Sequence, residues 1–96
     1  MKRHKILQRS FSDEFVKLME NRVVASHFKY GDLTTTKKDV RIQRNEIKNA
    51  EYRMKLYLES GNTEYLVDAA NFLMFEFMEM HGHFLAMDSD DKSKIV

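Results

Sequence analysis

Apolar residues between positions 62 and 80 recur with the 3.6-residue period of a helix, not with the alternation of a strand. At about 100° per residue, Leu66, Ala69, Ala70, Leu73, Met74, Phe77 and Met80 share one broad side, which is expected to form the main core. Glu64, Asp68, Asn71 and Glu79 gather on the other side, with Tyr65, Phe72 and Phe75 among them. The segment is too apolar for a surface helix and too acidic to go unanswered, because a carboxylate leaving water needs a countercharge or hydrogen-bond donors.

Two further helical patterns precede it. Ser12 can cap a first helix over about 12–29, with Asp13 and Glu14 complementing its positive end and Phe11 and Val16 spaced as a hydrophobic staple. Phe15, Leu18, Met19, Val23 and His27 mark its inward stripe, and Tyr30, Gly31 and Asp32 end it. After the polar connector Thr34 to Thr36, the pair Thr36 and Asp39 has capping-box spacing and opens a second helix over 37–59. Val40, Ile47 and Met54 recur every seven residues, with Ala50 and Tyr57 offset by three, as in a helical hairpin or bundle seam. Ser60 and Gly61 stop it, and Asn62 caps the third helix over 62–80 so soon that antiparallel packing of the two is favoured.

The expected fold is therefore one all-α domain over 1–96. It is a three-helix bundle with the third helix between the first two, a basic N-terminal arm at 1–10 and a mobile tail at 88–96. Phe84 and Leu85 are expected to tuck against the bundle or a neighbouring subunit. The absence of proline and the presence of only three glycines agree with a helical chain. At 96 residues such a chain hides only about 60–65% of its unfolded surface when it folds alone, so a homo-oligomer is expected.

Charge and composition narrow the function classes less. A net charge of +1 favours no strongly charged partner, and a chain without cysteine has neither disulfides nor thiolate metal sites, which suits the cytoplasm. The basic start Met1 to Lys5 leads only into Ile6 and Leu7 before Gln8, Arg9 and Ser10, too short for a secretory segment. The apolar run at 65–80 contains Asp68, Asn71, Glu76 and Glu79 and does not read as a membrane span. Lys37, Arg41, Arg44, Lys48 and Lys55 form a basic stripe on the second helix, interrupted by Glu51. It reads either as a solvated face or as a phosphate-facing surface. His81, His83, Asp88, Asp90 and Asp91 include metal-ligand types without the spacing of a known motif. No nucleophile elbow and no glycine-rich phosphate loop is present.

The stretch Asp68-Ala69-Ala70-Asn71-Phe72, following a helix and a glycine turn, resembles the second acidic motif of MazG-like all-α nucleoside triphosphate pyrophosphatases. That resemblance implies an oligomeric bundle holding Mg²⁺. Asp68, with Glu64, would be metal ligands, Asn71 would stand beside the nucleotide, and Arg41, Arg44 and Lys48 would lie near phosphates. The chain departs from the family pattern at Tyr65, where an acid is expected, and at Glu46 and Glu51, which project about 140° apart on the second helix. The segments Phe15 to Gly31, Gly61 to Met78 and His83 to Asp90 also resemble small uncharacterised proteins of bacteriophages and bacterial mobile elements. Three functions follow in order: a noncatalytic oligomeric interaction module, phage or prophage encoded; a MazG-like Mg²⁺-dependent nucleotide-binding or pyrophosphate-releasing protein; and a nucleic-acid binder using the second helix and the basic N-terminus.

Overall fold

The computed structural model describes residues 1–31, 45–79 and 82–85. These contain four helices, α1 (Arg3–Ser10), α2 (Asp13–Tyr30), α3 (Glu46–Ser60) and α4 (Glu64–Glu79), and no strand. The all-helical class agrees with expectation, but the count of three does not. The basic segment expected as an arm is itself helical over Arg3–Ser10, because it lacks glycine and proline and is rich in straight-chain helix formers. It went unpredicted because Ile6 and Leu7 are too few to draw an apolar stripe, and none of its residues is buried. No described helix is long and apolar enough to cross a membrane.

Local chemistry sets the boundaries. Phe11 and Ser12 are extended and separate α1 from α2, and the Ser12 hydroxyl accepts a hydrogen bond from the Phe15 amide at 3.0 Å. The second long helix does not run unbroken from 37 as predicted. Asn45 is extended, and its side-chain oxygen accepts from the Lys48 amide at 3.0 Å, so α3 begins at Glu46. Asparagine competes for backbone donors in this way and favours caps over helix interiors. The expected start at 37 and the pair Thr36 and Asp39 lie outside the described residues.

The α3–α4 turn follows the predicted design. Gly61 sits at φ 72°, ψ 7°, and its amide donates to the Tyr57 carbonyl at 2.7 Å. The Ser60 hydroxyl donates to the Leu56 carbonyl and accepts from the Asn62 amide, while the Asn62 side chain accepts from the Glu64 amide at 3.0 Å. So short a link folds α3 and α4 into an antiparallel hairpin. α4 packs against both α3 and α2 and is the central helix, as expected of the third helix. Arg22 meets Glu64 and Asp68 while Met19 meets Asn71, so α2 also runs antiparallel to α4.

The orientation of α4 is the main correction. Asn71 is 5% exposed and Val67 is buried, and Phe72 and Phe75 are half-buried with their rings edge to face, 6.2 Å apart. On the side expected to be the core, only Ala69 is buried; Leu66, Ala70 and Met74 are half-buried, and Leu73 and Phe77 are 48% and 69% exposed. Met80 lies outside the described residues. The acids can turn inward because both neighbouring helices present arginines to them. On α2, Phe15, Met19 and Val23 are half-buried as predicted, while Leu18 and His27 are exposed. Phe84 and Leu85, expected against the bundle or a neighbouring subunit, do not tuck against the bundle and are exposed in the single chain.

Replacing Gly61 with alanine should lower the unfolding free energy by about 1–2 kcal/mol, because a side chain in the left-handed region is strained even where space is free. Gly82→Ala meets no neighbour and no such backbone, so when both variants are titrated with urea its effect should stay below about 0.5 kcal/mol.

Candidate functional site at the junction of three helices

Glu64 and Asp68 are one helical turn apart and project to the same side of α4. Both face Arg22 of α2. Its Nη1 lies 2.9 Å from Glu64 Oε1, its Nε donates to Asp68 Oδ1 at 3.1 Å, and its Nη2 donates to Asp68 Oδ2 at 3.4 Å. A planar guanidinium matches a carboxylate edge-on in this way, whereas a lysine offers only a point charge. From α3, Arg53 Nε approaches Asp68 Oδ2 to 3.9 Å, close enough for charge attraction but too far for a hydrogen bond. The Arg53 guanidinium also lies 5.4 Å from the Phe72 ring centroid and 5.5 Å from that of Tyr52, within cation–π range.

Asp68 therefore stands where α2, α3 and α4 meet, with its side chain 16% exposed, while Arg22 and Glu64 remain half exposed. Its charge is met by two cations from two different helices. Asn71, one turn further along α4, donates from Nδ2 to the Met19 carbonyl of α2 at 3.2 Å. Its Oδ1 is buried with no hydrogen-bond partner among the described residues.

Among the other predicted nucleotide-site residues, Lys48 is described and stands apart from this junction. Lys48 is exposed and projects about 140° from Arg53 around α3. Arg41 and Arg44 lie outside the described residues, as do Lys37, His81, Asp88, Asp90 and Asp91; His83 is exposed. Glu46 is the largest fully buried side chain among the described residues, at 1% exposure, whereas Glu51 is exposed, consistent with their 140° separation.

Sequence reasoning missed the two arginines that complete the junction. The signal was present: Arg22 lies three residues after Met19 and seven after Phe15, on the inward stripe of α2, and Arg53 lies between Ala50 and Tyr57 on the seam of α3. A charge in an apolar register calls for a partner, and the acids of α4 were already in view.

Mg²⁺ needs several oxygen ligands in near-octahedral array and keeps water among them. Here the oxygens of Asp68 face two guanidinium groups, Glu64 shares one of them, and the Asn71 amide is turned to α2. Among the described residues no group of three or more His, Asp or Glu side chains converges for a metal ion. As arranged, these donors face a cation of their own chain, the guanidinium. Comparison with models of protein families, with characterised proteins and with solved structures finds no match to this chain.

A double-mutant cycle of Arg22→Ala and Asp68→Ala should give a coupling energy of about 1 kcal/mol at low salt, the upper end for partly exposed pairs. In 1 M NaCl, where the screening length is about 3 Å, the coupling should fall by more than half. Zero coupling at low salt would show that the contact carries no stability.

Proposed function

We propose that this chain is a noncatalytic helical interaction module, with the acidic motif of α4 serving to join its helices. The observation that carries this reading is the engagement of Glu64 and Asp68 by Arg22, with Arg53 behind. Carboxylates that prepare a metal for phosphate chemistry must be open to metal and substrate. These are neutralised by arginines from neighbouring helices, which makes them an interhelical tie.

A second feature supports the same reading. The apolar residues fully buried among the described residues are Ala50, Val67 and Ala69, all small or medium-sized, while Phe28, Leu58 and Phe77 stand largely exposed. Large apolar side chains left in water on folded helices mark contact surfaces. With so much apolar capacity facing outward among the described residues, the helices are suited to being covered by a macromolecular partner.

The competing reading, a MazG-like nucleotide pyrophosphohydrolase, makes an opposite prediction. Purified protein incubated with the common nucleoside triphosphates and Mg²⁺ should release no pyrophosphate above the protein-free rate, and its melting temperature should rise by less than about 1 °C. With saturating nucleotide at 100 times its Kd, a specific site would add about 2.7 kcal/mol, a shift of several degrees in a domain this size. Pyrophosphate release that disappears in Asp68→Ala would replace the interaction reading with the enzymatic one.

A further inference from the structure

Around α4, the residues that meet α2 (Glu64, Asn71) and the one that meets Arg53 of α3 (Phe72) lie about 80–100° apart, with Asp68 between them and the buried Ala69 beyond Phe72. The remaining sector contains Leu66, Ala70, Leu73, Met74 and Phe77 and not one polar residue. On α3, Ile47 and Met54, expected on the seam, are exposed instead; with Leu58 they project about 80° from Glu46, Ala50 and Tyr57, the buried and half-buried side of that helix. Because the two helices are antiparallel, that offset turns them to the same side as the α4 stripe. Arg53 is offset the other way, toward α2. The hairpin thus has two unlike sides, with α2 and the charged junction on one and a continuous apolar face on the other.

From this geometry we infer that the apolar face of the α3–α4 hairpin is the contact by which two copies of the chain pair, hairpin on hairpin, into a four-helix layer. The inference rests on the interaction-module reading and names its partner.

Area favours a second copy. Ile47, Met54, Leu58, Leu73 and Phe77 are between 41% and 81% exposed. At roughly 200 Å² for a fully exposed large apolar residue, they leave about 560 Å² of apolar surface uncovered. A standard interface hides about 800 Å² per partner, and homodimer interfaces are about 65% apolar, so one such face supplies the apolar share of a stable dimer. Charge points the same way. Along the α3 edge of the face, Glu51 lies between Lys48 and Lys55, so the rim carries both signs and suits a copy of itself better than a strongly acidic or basic partner. A two-fold pairing sets the same patch on both copies and closes without further growth.

The experiment uses the full chain, which contains no cysteine and so accepts single thiol probes. Sedimentation equilibrium at micromolar concentrations should give twice 11.5 kDa, and Leu73→Glu should halve that mass. Since Leu73→Glu can also unfold the chain, Leu73→Cys provides a gentler reading. A short bifunctional thiol reagent should link two copies through Leu73→Cys and should not link them through Val24→Cys, which lies on the far side of α2. A mass of 11.5 kDa at all concentrations overturns the inference, as it would if the chain's own terminal residues or an unrelated protein covered the face. So does a dimer that links through Val24→Cys and not through Leu73→Cys. A monomer that releases no pyrophosphate defeats the dimer and leaves the interaction reading standing. A dimer linked through Leu73→Cys that cleaves nucleotide supports the pairing and defeats that reading.

Discussion

The structure depends on a single carboxylate held by two helices at once. Asp68 is mostly withdrawn from water, and a lone charge in that position would be strongly unfavourable. Arg22 resolves this from α2 with a two-pronged contact, and Arg53 adds charge from α3. A pairing of this kind contributes little net stability compared with an apolar contact, because desolvation offsets much of the attraction. It bears on geometry: in the rotation that α2 and α3 adopt on α4, each brings an arginine to Asp68.

That rotation decides what each side of α4 meets. With Glu64, Asp68 and Asn71 turned toward neighbouring helices, the stripe from Leu66 to Phe77 is turned away from them. The fully buried apolar residues among those described are then small or medium-sized, Ala50, Val67 and Ala69, while larger ones such as Leu56, Phe72 and Phe75 are only half-buried. The resulting core is thin, while the outer face carries exposed large apolar residues. The same ionic tie therefore goes with both the orientation of α4 and the exposure of its apolar stripe.

Much of this was legible in the residues. Ser12, Gly31, Gly61 and Asn62 mark helix ends by chemistry that needs no tertiary context, and the structure uses each of them. The α3–α4 hairpin followed from the brevity of its turn. The rotation of α4 did not, because a helix with aromatics on its acidic side offers two buriable faces, and periodicity measures apolarity without knowing where the countercharges are. Reading Arg22 and Arg53 as inward-facing charges would have decided between them. The cap at Asn45 was hidden by its neighbours Arg44 and Glu46, both ordinary helix residues, and α1 by having only two apolar positions. At the site, the convergence of Glu64 and Asp68 on one side followed from their spacing, while their partners required the other two helices.

Nuclear Overhauser contacts between helices in the full-length chain test the rotation of α4 most directly. The account predicts contacts from the Phe72 ring to the Arg53 side chain and from the Asn71 side-chain amide to the Met19 region of α2. Contacts from Leu66, Leu73 and Phe77 to α2, with none between Phe72 and Arg53, would place the apolar stripe inside and contradict it.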